Sequence, residues 1–365
     1  MLRRSFVSCV AMVAVGSFAP LGFADDAKVY GEMVSRGIEF LQSKQAADGS
    51  WSAQNGPGIT ALIATALLKQ GRSTDDPLVA KSVKYVESFV QPDGGVYKPG
   101  SRLKNYETCL AIVCLSEANA KGRYEKILKN ADKYIKSEQW NEGREKDEAD
   151  FDYGGTGYGG KSRPDLSNTQ FFLEALKATG NDADSAAVQQ ALVFVSRCQN
   201  LETEHNTAPP AAKNPDGGFY YTVSGGGDSA AGKSDEGALR SYGSMTYAGL
   251  KSMLFAGVKK DDPRVQAAVK WLQKNYDLES NPGLGTNGLY YYYHTFAKSL
   301  DALGQQEFVD AEGKKHLWRQ ELIAELASRQ QEDGSWVNSN GQWLEGDANM
   351  VTGFALLSLT YCRAK

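Results

Sequence analysis

Apolar residues recur at helical spacing near both ends of the chain, each time followed by the same turn and a second, more apolar segment. The first copy runs from Arg36 through the pair Phe40-Leu41 to Gln45, turns at Asp48-Gly49-Ser50-Trp51, and continues from Thr60 to Leu67. The last copy runs from Ile323 to Gln330, turns at Asp333-Gly334-Ser335-Trp336, and continues from Thr352 to Leu359. This pattern predicts an amphipathic helix, a tight turn and a helix buried on more than one side. Four weaker copies lie between. Tyr85-Val86, Tyr134-Ile135, Phe194-Val195 and Trp271-Leu272 stand where Phe40-Leu41 stands, and Gln139 and Gln199 repeat the glutamine. Asp93-Gly94-Gly95 and Asp216-Gly217-Gly218 repeat the turn, in which Asp bonds its own backbone and Gly accepts a left-handed conformation.

The second segments align on a threonine, at Thr60, Thr108, Thr169, Thr246, Thr295 and Thr352. Seven residues later stand Leu67, Leu115, Leu176, Met253, Ala302 and Leu359, two helical turns along the same face. Tandem helix pairs build either an open solenoid or a closed ring. A solenoid needs altered repeats at its ends, whereas both terminal copies here keep full Asp-Gly-Ser-Trp turns. The expectation is an all-α fold, an α6/α6 toroid whose more apolar second helices form the inner ring around a central cavity. Residues 25–365 are expected to form this one domain.

Arg36-Gly37-x2-Phe40-Leu41-x3-Gln45-x3-Gly49-x-Trp51 resembles the QW motif of squalene-hopene and oxidosqualene cyclases. As a set of repeats, residues 30–363 resemble the squalene cyclase and prenyltransferase repeat superfamily. In that family Gln binds backbone at helix ends and Trp stacks on it, which implies a stabilising role here. The cyclases' acidic Asp-x-Asp-Asp-Thr segment corresponds to Asp165-Leu166-Ser167-Asn168-Thr169, so the position of the proton-donating Asp holds Ser167. Zinc prenyltransferases carry a ligand His in Tyr-His-Thr, similar to Tyr293-His294-Thr295. Their other ligands fall on Tyr242-Gly243-Ser244-Met245-Thr246, where neither is present. One His is short of the three protein ligands of a catalytic zinc site. No metal and no cofactor is therefore expected.

The residues just before each repeated threonine are Ile59, Glu107, Asn168, Met245, His294 and Val351, and closure of the ring would gather them at one mouth. Glu107, His294 and Asp165 are the ionisable groups among and beside them, a candidate acid/base set. Tyr106, Asn168, Thr169, Tyr242, Ser244 and Tyr293 are the candidate ligand contacts. Two insertions, 141–165 and 201–241, join first to second helices and are expected to border that mouth. The expected ligand is a hydrophobic or isoprenoid-like small molecule, or else a protein partner. The alternative is an enzyme, acting on an isoprenoid like a terpenoid cyclase or prenyltransferase, or on a polysaccharide.

The N-terminus adds a destination. Arg3 and Arg4, the apolar stretch Phe6–Ala19 and the small residues Gly22 and Ala24 form a secretory leader, residues 1–24, cut after Ala24. The product is expected to be secreted or periplasmic. Without the leader's two arginines the net charge moves from -4 to -6, which disfavours nucleic-acid binding. No other apolar run approaches the roughly 18 residues of a membrane span. Cys109, Cys114, Cys198 and Cys362 remain, with one or two disulfides compatible with their number and no connectivity fixed by it.

Overall fold

The repeated pairs become alternating outer and inner helices in the computed structural model, which describes residues 23–363. Residues 1–22, most of the expected leader, lie outside the described residues. The outer helices are α1 (Phe23–Lys44), α3 (Pro77–Glu87), α5 (Glu125–Ser137), α7 (Ala186–Arg197), α10 (Pro263–Lys274) and α12 (Trp318–Arg329). The inner helices are α2 (Gly58–Lys69), α4 (Lys104–Glu117), α6 (Leu166–Ala178), α9 (Gly243–Phe255), α11 (Leu289–Leu303) and α13 (Ala348–Thr360). A short helix, α8 (Pro209–Lys213), lies in the second insertion, and the two-residue strands β1 (Phe308–Val309) and β2 (Lys315–His316) pair between α11 and α12. Inner helices pack in order, α2 on α4, α4 on α6, α6 on α9, α9 on α11 and α11 on α13, and α13 returns to α2. The fold is an all-α toroid.

Periodicity explains the layers. In α3, Leu78, Val79, Ser82, Val83 and Val86 are buried, one stripe at helical spacing. In α2 every residue from Gly58 to Leu67 is buried, because inner helices meet two ring neighbours and an outer helix.

The turns tie each pair to the next. Gln45 Nε2 donates to Gly49 O in its own turn and to Leu78 O in α3, at 3.1 and 2.9 Å. Gln139 reaches Ala187 O, Gln199 reaches Arg264 O, and Gln330 reaches Met33 O, which carries the pattern across the seam into α1. Trp51 and Trp336 are buried, and their indoles donate to Leu41 O and Leu326 O, each at 2.8 Å. Gly334 has φ +87°, and a Cβ there would lie 2.4 Å from Arg36 O, so the turn can press on α1 only without a side chain.

The repeated threonine holds the turn. Thr60, Thr108, Thr169, Thr246 and Thr352 each accept the amide of Trp51, Val96, Thr156, Phe219 and Trp336, at 3.0 to 3.1 Å. The third unit's turn therefore lies inside the first insertion, around Gly154 and Gly155. The fifth unit departs from the pattern. Its helix α11 starts at Leu289, six residues before Thr295, and Thr295 only donates back to Tyr292 O. The four cysteines are buried and free, so none of the disulfides compatible with their number is formed. Burial in apolar surroundings raises each thiol's pKa and leaves it inert.

Candidate functional site

A cavity of about 600 Å³ opens where the inner helices begin, and all six contribute to its wall. Helices α13 and α2, neighbours in the ring, give an apolar wall of Met350, Phe354, Ile59 and Leu62. Beside α2, α4 brings Tyr106 and Glu107, and across from the apolar wall α6 and α9 bring Ser167, Asn168, Phe171, Ser244 and Met245. Aromatic rings form a belt. Tyr158 meets Tyr106 edge-on, Tyr106 meets Phe171 at 5.2 Å, Phe171 meets Tyr291 at 6.1 Å, and Tyr291 meets Phe354 at 6.0 Å. Three of these contacts are edge-to-face and the Phe171–Tyr291 pair is tilted, arrangements that fix ring positions and add to the area they bury.

Both insertions reach the mouth. The first supplies Tyr158, and the second supplies Tyr221, Asp228 and Ala230. A third loop, before α13, adds Trp343 and Leu344, each about half exposed. These two consecutive residues adopt φ of 55° and 66°, a region that large side chains enter at a cost. Glu345 holds them there. Its buried carboxylate accepts the amides of Tyr290 and Tyr291 at 3.0 and 2.8 Å, capping α11, and accepts Asn338 Nδ2 at 2.7 Å. The result is a fixed apolar lip over the cavity.

Polar groups stand in two places, Glu107 against Gly56 and Gly58 at the start of α2, and Asp165 with Asn168 at the start of α6. The Glu107 carboxylate accepts Ser101 Oγ at 2.6 Å and the Lys98 amide at 2.8 Å, and burial raises its pKa despite those bonds. Asp165 caps α6, accepting Asn168 N at 2.8 Å and Asn168 Nδ2 at 2.7 Å. Burial lifts its pKa to about 6, opposed by the bonds from Asn168 and by Tyr221. Asp165 sits just behind the wall, and Tyr221, in contact with both Asp165 and Tyr158, links it to the cavity surface.

The candidate residues thus divide. Tyr106, Glu107, Asn168, Tyr242 and Ser244 line the cavity, with Asp165 directly behind. Thr169 faces its turn instead, accepting Thr156 N and donating to Asp165 O. Tyr293 points outward and donates to Leu278 O at 2.6 Å. His294 and Val351 are buried but do not line the mouth cavity. For His294 the reason is the early start of α11, which puts Tyr291 at the mouth and His294 about one turn deeper. There its ring packs 5.8 Å from Phe354, its Nδ1 has no hydrogen-bond partner, and burial followed by the Lys298 charge lowers its pKa to about 3. Glu107 and His294 do not meet as a pair.

Below the mouth a hydrogen-bonded string descends the ring. Ser167 Oγ and Tyr291 Oη are 3.1 Å apart, Gln170 Nε2 donates to Tyr291 Oη at 3.4 Å, and Gln170 Oε1 accepts Lys251 Nζ. Lys251 and Lys298 share the Glu174 carboxylate. Sequence reasoning missed this cluster, although a Glu and two Lys inside apolar inner helices are a legible signal. It also missed Leu62, Leu110, Phe171 and Phe354, each two residues after its repeated threonine. Among the described residues, no group of three or more His, Cys, Asp or Glu is placed to hold a metal ion, and no helix is long and apolar enough to cross a membrane.

Residues 54–219 match the squalene-hopene cyclase C-terminal domain family. D-mannose isomerase superposes with a TM-score of 0.58 at 12% identity, over 93% of this chain and 99% of that one. A protein from Actinoplanes superposes with a TM-score of 0.52 at 13% identity, over 91% and 99%. A type II terpene cyclase from Scytonema, solved with its product merosterolic acid A, aligns over 93% and 98% at 15% identity with a TM-score of 0.36. No curated protein matches the sequence.

Proposed function

We propose a ligand-binding role for this chain, which belongs to the squalene cyclase-like superfamily: an exported protein that holds a compact apolar molecule of isoprenoid type in the mouth cavity. The observation carrying this reading is the cavity's two-sidedness. Its α13–α2 wall is apolar, its rings form a belt, and Asn168, Tyr158 and Tyr221 stand together beside Asp165, with Glu107 apart at the start of α2. An apolar body would lie along Ile59, Leu62 and Phe354, with one polar end toward Asn168. Pockets of this make-up take most of their affinity from apolar burial and their orientation from a few polar groups. Export rests on the secretory leader that the sequence of residues 1–24 leads us to expect.

The test is titration of the full mature chain with farnesol and geranylgeraniol, followed by tryptophan fluorescence, with Trp343 at the lip as reporter. Saturable quenching is expected, about tenfold weaker in Phe354→Arg, which puts a charge on the apolar wall. No saturable change with either alcohol sinks the reading. Saturation by a mannose oligosaccharide alone would shift it to a carbohydrate.

A second reading, catalysis, is favoured by Asp165. A buried carboxyl with a raised pKa, linked through Tyr221 to a phenol at the cavity surface, suits proton transfer. In that case Asp165→Asn abolishes turnover and leaves binding near wild type. Glu107→Gln, whose partners are backbone and Ser101, lowers turnover less.

A further inference from the structure

The opposite end of the ring holds a second cavity of about 470 Å³, walled by the last turns of the inner helices. It is charged where the mouth is apolar. At its centre the Glu174 carboxylate serves two ammoniums, Lys251 and Lys298, and the three side chains are only 6%, 0% and 13% exposed. At the rim Lys69 pairs with Glu117, and Asp301 pairs with Arg319. Lys177, at the opening, lies over the Phe255 ring, its nitrogen 3.9 Å from the centroid. Three cations, Lys69, Lys177 and Lys298, and three carboxylates, Glu117, Glu174 and Asp301, line the cavity, while Lys251 and Arg319 pair with Glu174 and Asp301 from outside the lining. Last-turn lysines such as Lys69 and Lys177 complement the negative ends of their own helices. Lys251 and Lys298 lie further inside α9 and α11, so that explanation does not reach them. Two buried ammoniums on one carboxylate leave positive charge in a poorly solvated place, which is costly unless an anion joins them.

We propose that this second cavity is a binding site for a small organic anion, a carboxylate or phosphate group on a compact apolar body. The anionic group would sit between Lys298 and Lys177, and the body would pack on Phe255, Leu254 and Val113. Charge-assisted hydrogen bonds from lysine hold such groups well when desolvated. The site is separate from the mouth cavity, with Gln170 and Lys251 between them.

Calorimetric titration of the full mature chain with phenyl phosphate and with benzoate, at constant ionic strength, tests this. Benzyl alcohol, the same body without charge, is the control. Saturable binding of at least one anion is expected, with none for benzyl alcohol, weakened about tenfold or more in Lys177→Met and in Lys298→Met. Ligand-free Lys298→Met is expected to unfold at the wild-type temperature or higher, since Glu174 keeps Lys251 and the excess charge is gone. A purely structural ion pair would instead give a lower temperature. Lys177 is exposed, so Lys177→Met folds in either case. No saturable binding of either anion, equal binding of benzyl alcohol, or wild-type affinity in Lys177→Met overturns the proposal.

Discussion

Asp165 shows how one position serves both fold and chemistry. As the first residue before α6 it accepts the Asn168 amide, a common use of Asp that is legible in sequence. Its burial beside two tyrosines was not legible, because Tyr158 and Tyr221 come from separate insertions. The consequence is a pH dependence with a definite sign. The folded pKa, about 6, lies above the ordinary 3.8, so the native state binds more protons between those values. Stability from this group is therefore full below about pH 4 and lost as pH rises to about 6, some 3 kcal/mol in all. Asp165→Asn should flatten that decline. Urea midpoints at pH 4.5 and 7 should differ less in the variant than in wild type; an unchanged difference would assign the effect elsewhere. Trp343 gives a second residue-scale expectation. Trp343→Gly relieves a left-handed φ and removes the lip, so stability should change little while farnesol affinity falls.

At the scale of elements, the helix pair and its turn are the unit the chain repeats. The Gln, Gly and Trp of the turn were readable because their chemistry is local. Their partners are not local, since each turn grips the following outer helix. Gln330→Ala removes two bonds, to Met33 O and Gly334 O, and should cost about 2 kcal/mol. Gly334→Ala should cost at least as much, because a positive φ and a contact of 2.4 Å with Arg36 O act together. Denaturant unfolding measures both, and a loss below about 0.5 kcal/mol in either variant would mean the seam is not held this way. Helix α11 is where element-level reading slipped. Thr295 aligned by sequence with the other five threonines, but the aromatic run Leu289–Tyr293 extends the helix backward and lowers His294 by a turn.

For the whole molecule, closure is the property that matters. Helix α1 packs on α13 and α12, so the first element in sequence covers the last. Removing residues 25–44 should therefore expose Trp336 and the outer face of α13, giving a chain that binds a hydrophobic dye and unfolds without a sharp transition. A solenoid would merely lose an end and keep a cooperative core. Retention of a sharp calorimetric transition in the shortened chain would contradict a ring closed by α1.

The sequence by itself determined the helix pairs, the turns, the inner and outer layers and the likeness that names the superfamily. All rest on short-range periodicity and turn chemistry, which repeat every few dozen residues and need no partner to be recognised. Only the tertiary structure decided which side chains share a cavity. Tyr158, Tyr221 and Trp343 reach the mouth from three loops, and Glu174, Lys251 and Lys298 meet from three helices. Such groups are brought together by ring closure, an interaction between distant segments that leaves no periodic mark on the chain.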